Sequence, residues 1–87
     1  MEELTQEQVQ EIVQNIEMRK VFSSNVVAIG YSATYKILKV IFKPNNIYVY
    51  FNVGPEIWEG LNNTQSVGRL LSESVIRQKE KYKFQKM

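Results

Sequence analysis

The chain contains no cysteine and no histidine among its 87 residues. Without cysteine there is no disulfide framework and no thiolate zinc site, which is the usage expected of a protein in a reducing cytoplasm. Without histidine the commonest general base and the commonest transition-metal ligand are both missing, so catalytic triads, zinc hydrolases and histidine proton shuttles are excluded. Long apolar runs are absent too, and the acidic, polar first residues do not read as a secretory leader or a membrane span. Glycine (4) and proline (2) are scarce, so each is informative about local geometry. No glycine-rich phosphate loop, calcium loop or metal-ligand spacing occurs, and no cofactor or metal is implied.

What is present is the composition of a globular domain. Apolar residues make up 44% and charged residues 23% of the chain, enough to build a core and too apolar for a disordered tail. The length fits one domain spanning residues 1–87, near the size at which oligomerisation often adds burial. The net charge of +2 conceals an asymmetry: residues 1–20 hold five acids and two bases, whereas residues 69–87 hold six bases and two acids. The basic end suits phosphate or an acidic partner, or simply a solvated edge; its charges lack the aromatic interleaving typical of nucleic-acid surfaces.

Local signals predict an α+β fold. Thr5 and Gln8 form a capping box, with Leu4 and Val9 as its hydrophobic staple. Val9, Ile12, Val13 and Ile16 then fall on one helical stripe that must be buried against something, either the chain's own sheet or a second subunit. Residues 25–31 read as a strand and residues 36–43 as another, with Leu38, Val40 and Phe42 on one face and Ile37, Lys39, Ile41 and Lys43 on the other. A three-residue loop Pro44-Asn45-Asn46 is expected to set Lys43 opposite Ile47 and Phe42 opposite Tyr48, placing Tyr48 and Tyr50 on the Leu38 side. A two-residue loop would reverse their face. Pro55 suits the first turn of a short helix carrying Ile57, Trp58 and Leu61. A further helix is expected from residue 66 to about 79 with the stripe Val67, Leu70, Leu71 and Val75, followed by a short edge strand around Tyr82-Lys83-Phe84. The expected architecture is therefore a three- or four-stranded antiparallel sheet packed by an N-terminal helix and two C-terminal helices.

Five features in order carry a family resemblance: Ser23-Ser24-Asn25 leading to Ile29-Gly30-Tyr31, the alternation Leu38-Lys39-Val40-Ile41-Phe42, the motif Tyr48-Val49-Tyr50-Phe51, Val53-Gly54-Pro55, and Ser66-Val67-Gly68-Arg69. Over residues 23–84 the chain resembles the KTSC domain, a small module found at the C-terminus of some lysyl-tRNA synthetases and as a stand-alone bacterial or phage protein. The resemblance implies a small α+β domain and, through the tRNA enzyme, RNA binding. Where the family usually places charges near positions 41 and 49, this chain has Ile41 and Val49, and Leu70-Leu71 replace an aromatic pair. Residues 1–20 lie outside the domain as an added helix, whose stripe is expected to cover the Ile41 and Val49 face unless two such faces meet in a dimer.

Two functions from different classes follow. The first is binding of RNA or single-stranded DNA through Ser66, Gly68, Arg69, Arg77, Lys79, Lys81 and Lys83, in which the amides at Ser66–Arg69 would open a helix onto a phosphate and Tyr48 and Tyr50 would stack bases if exposed. Core packing of these tyrosines, with Ser66 as a cap and Gly68 as a packing contact, is the plainer reading. The second is self-assembly, as a homodimer, or protein binding through Val9, Ile12, Val13, Ile16, Ile41 and Val49. Enzymatic activity is not expected: Glu56 and Glu59 near a helix start read as complements to its dipole, and Ser23-Ser24 has no evident base.

Overall fold

A computed structural model describes residues 4–78 and 80–87. Its first helix, α1 (Gln6–Asn15), begins at the expected capping box, with the Gln8 amide donating to Thr5 Oγ1 and the Thr5 amide to Gln8 Oε1. It stops where Ile16 turns extended. The chain then reverses into β1 (Met18–Lys20), which pairs with β2 (Val26–Ser32). Gly30 is required at this junction. A Cβ there would lie 2.6 Å from the Glu17 carbonyl, Ile16 Cγ2 and Met18 Sδ, so only a bare Cα lets the turn after α1 press onto β2.

The sheet continues through β3 (Ile37–Phe42) and β4 (Asn46–Tyr50) to β5 (Phe84–Lys86), all neighbours antiparallel, in the order β1-β2-β3-β4-β5. Five strands replace the expected three or four. The additional strand is the three-residue edge strand Met18-Arg19-Lys20, whose charged composition carries no strand signal; it exists because β2 offers it a backbone partner. The last strand also starts two residues later than expected, and Tyr82, 3% exposed, turns into the core instead.

The β3–β4 register differs from the expected one by two residues. The loop is Lys43-Pro44-Asn45, with a cis peptide bond before Pro44, and Val40 faces Tyr48 while Leu38 faces Tyr50. Because side chains alternate with period two, a slip of two preserves every face. Tyr48 and Tyr50 therefore stand with Leu38, Val40 and Phe42, as expected.

Helix α2 (Pro55–Asn63) starts with its proline in the first turn. Helix α3 (Val67–Leu71) is shorter than expected, passing at Ser72 into a π-helical turn, Ser72–Ile76. Together with Tyr82 these elements seal one sheet face around Val26, Ile29, Leu38, Val40, Tyr50, Val53, Leu61 and Leu71. The other face is covered by α1: Val9, Val13 and Ile16 pack against Ile37 and Val49, with Leu4, Ile12, Met18 and Phe51 around them. Lys39 projects from this face and donates from Nζ to the Val13 carbonyl at 3.1 Å, placing a cation at the helix C-terminus, where the dipole favours it. Of the residues expected to be covered, Ile41 is half-buried and stands outside this cluster.

Candidate nucleic-acid interface

The two C-terminal helices do not close the whole of their sheet face. Beyond Val40 and Tyr50 the face runs on to Phe42 and Tyr48, both half-buried, and on β5 to Phe84, which is 51% exposed. Phe42, Tyr48, Tyr50, Phe84 and Ile76 line an open groove of about 320 Å³. Each ring meets the next: Phe42 lies edge-on to Tyr48 with centroids 5.6 Å apart, Tyr48 lies 6.2 Å from Phe84, and Tyr50 lies 6.0 Å from Phe84. Ile76 reaches the wall from the end of the π-helical turn, a widening that recurs at functional sites. Burial, and after it the neighbouring Tyr48, pushes the Tyr50 hydroxyl pKa above its ordinary value of 10.0, so its phenol stays neutral at physiological pH.

One basic side chain shares the face of these rings: exposed Lys86 pairs across the ladder with Tyr48. Exposed Arg77 follows Ile76, while Lys43 and Lys83, each one residue from a groove phenylalanine, fall on the alternate side of the pleat. Among the described residues no carboxylate lines the groove. Residues separate along the chain thus meet on one surface, with Ile76, Phe84 and Lys86 brought to Phe42 and Tyr48 only by the fold.

The residues singled out from the sequence fall into several surroundings. Ser66 makes no side-chain cap, and its amide donates to Thr64 Oγ1 at 3.0 Å. Gly68 faces Ser23 Oγ and Asn25 Oδ1, each of which would be 2.8 Å from an added Cβ, so it is a packing contact with the loop before β2. Arg69 bonds Glu73 at 3.3 Å across one exposed turn. A five-residue helix with this arrangement does not present a phosphate cradle. Lys81 lies with Nζ 5.4 Å over the Tyr82 ring. Arg77 is exposed beside the groove residue Ile76, Lys83 is exposed on the alternate side of the chain from Phe84, and Lys79 lies outside the described residues. Of the apolar set considered for an interface, Val9, Val13, Ile16 and Val49 are buried within the chain, and Ile12 and Ile41 are half-buried. The element that shields this face is supplied in cis. Lys43, considered with Lys39 as an extension of the anion site along β3, is exposed; Phe42, Phe84 and Lys86 were not recognisable as site residues, because their convergence depends on β5 pairing with β4.

Among the described residues no cluster of acidic side chains suits a metal ion, and no helix is long and apolar enough to cross a membrane.

A five-stranded antiparallel sheet with one helix on one face and two on the other, leaving an aromatic groove at its β5 end, defines the protein as a small α+β module. The family model of the KTSC domain matches residues 22–82, and the chain belongs to that family. It is similar to a KTSC domain protein from Yersinia pestis whose crystal structure superposes with a TM-score of 0.72 at 25% identity, covering 83% of this chain and 97% of that one. No curated protein matches the chain. The matched residues begin after α1 and β1, so the helix that covers the Ile37 and Val49 face precedes the family's domain.

Proposed function

We propose that this protein is a non-enzymatic, cytoplasmic binding module for single-stranded nucleic acid, RNA or single-stranded DNA. Bases lie against Phe42, Tyr48 and Phe84, and phosphates are drawn by Lys86 and Arg77, with the exposed Lys43 and Lys83 adding to the positive field. The observation that carries the reading is the groove itself, in which partly exposed rings on a sheet have Lys86 across the ladder from Tyr48 and, among the described residues, no acid in the wall. Sheet aromatics stack bases in RNA-recognition modules, and base–aromatic stacking tolerates any sequence because every base has a π-face. An aromatic and aliphatic lining, in a chain without histidine or cysteine, favours binding over chemistry at this groove.

Fluorescence anisotropy with a labelled single-stranded oligonucleotide tests this. Binding is expected at about 50 mM salt, with affinity falling on a log–log slope of about −1.5, the value for roughly two phosphate contacts to a single strand. Arg77→Glu with Lys86→Glu should abolish it, and a duplex of the same length should bind more weakly because its bases are already stacked. Absence of binding at about 50 mM salt would end the proposal.

A further inference from the structure

A second groove, of about 500 Å³, runs along the outer side of α1 beside the turn between β2 and β3. Its wall combines apolar Leu4 and Ile12, the Tyr35 ring, which is 48% exposed, and the carboxylates of Glu11 and Glu17, with no basic residue among its lining. The single ion pair among the described residues is Arg69–Glu73. The groove therefore suits a segment that offers cations beside an apolar side chain.

The same molecule carries such a segment at the far edge of its sheet. Around β5 stand the exposed Lys81, Lys83 and Lys86 with Phe84 and Met87, which are 51% and 38% exposed. This strand is held to its own β4 by the Phe51 amide on the Lys83 carbonyl at 2.9 Å and the Met87 amide on the Ile47 carbonyl at 2.8 Å. A further bond joins Gln85 to Gln6 of α1 at 2.7 Å. Pinned in this way, it does not fold into the groove of its own chain, but a second copy can present it.

We propose that the acidic groove beside α1 receives the basic β5 end of a second copy, with Lys83 and Lys86 facing Glu11 and Glu17 and Met87 set against Leu4 and Ile12. The contact is head-to-tail, so it generates rings or open chains rather than a closed two-fold dimer. A groove of this size admits only a few side chains, and exposed charges are screened by salt, giving a weak association with Kd on the order of 0.1–1 mM that weakens as ionic strength rises. The proposal shares the β5 lysines with the nucleic-acid reading but rests on the acidic groove, and its test uses protein free of nucleic acid so that the two can fail separately.

Sedimentation velocity over a concentration series is the measurement. The wild-type mass should rise with concentration at low salt and return to the monomer value at high salt. Glu11→Lys with Glu17→Lys, and separately Lys83→Glu with Lys86→Glu, should each remain monomeric; all four positions are exposed, so both variants should keep the wild-type circular dichroism. Mixed together, the two variants should regain a complex, since one retains the groove and the other the strand, and the two charge-reversed surfaces also complement each other. A wild-type protein that stays monomeric throughout, variants that associate as the wild type does, or a mixture without the complex would each overturn the proposal. So would a groove that binds an unrelated basic peptide while the protein itself remains monomeric.

Discussion

Two phenylalanines are exposed in this protein, and the aromatic groove makes them unequal. Phe84 is 51% exposed and forms part of the groove wall, whereas Phe22, in the loop after β1, is 102% exposed and lies outside the groove. Stacking of one base on an aromatic ring is worth about 1–3 kcal/mol, so Phe84→Ala should weaken single-strand binding by roughly 5- to 150-fold. The salt slope should not change, because no charge is removed. Phe22→Ala should leave affinity within error. The stability cost has a separate size. Phe84 buries half of a ring worth roughly 200 Å², which at about 25 cal/mol per Å² gives at most about 2.5 kcal/mol, and about 2 kcal/mol once the retained Cβ is counted. For a domain of this length that lowers Tm by roughly 8–16 °C. Anisotropy titrations run well below the variant's Tm separate the two effects. Equal losses from Phe22→Ala and Phe84→Ala, or a neutral Phe84→Ala, would refute the assignment of the groove as the base-binding surface.

The remaining predictions concern what holds the site in place. Gly30→Ala should destabilise the fold by about 1–3 kcal/mol, because the new Cβ would meet the α1–β1 junction at 2.6 Å; a urea midpoint equal to wild type would contradict the packing described. Burial raises the pKa of both Tyr31 and Tyr50 above the ordinary value of 10.0, with Glu56 adding to the effect at Tyr31. The unfolded chain therefore releases these protons first, so the stabilisation is intact below about pH 10 and is lost as pH rises through the folded-state values. Tyr50→Phe should flatten the alkaline decline in urea midpoint, and an unchanged pH profile would count against the burial of that phenol.

Much of the fold was legible because its signals are local. The Thr5–Gln8 box, the Val9 to Ile16 stripe and Pro55 each act within a few residues, and each element appears where those signals place it. The faces of β3 and β4 were legible for another reason: the expected and observed registers differ by two, and the pleat has period two. The apolar character of Ile41 and Val49 implied a cover, since a bare face of that kind is costly in water; α1 packs on Val49 and Ile37, whereas Ile41 stays half-buried outside that cluster. The break of the last helix into a π-helical turn left no signal in a stripe that reads as continuous helix. Ser66 shows the converse error, a residue type suited to capping that makes no side-chain cap, beside a Gly68 taken up by the Ser23 and Asn25 side chains.

Residue order alone, then, determined the helices, the central strands, the direction in which each side chain points and the family. The tertiary structure decided the first edge strand, the bounds of the last one and the groove. Met18–Lys20 has no strand propensity to read and becomes a strand only because β2 leaves backbone groups to be satisfied, and pairing with β4 sets the last strand at Phe84–Lys86 while Tyr82 turns into the core. The meeting of Phe42, Tyr48 and Phe84 with Ile76 and Lys86 joins residues from distant parts of the chain. No local spacing encodes that surface, because it exists only where β5 closes against β4 and the helices stop short of covering the sheet.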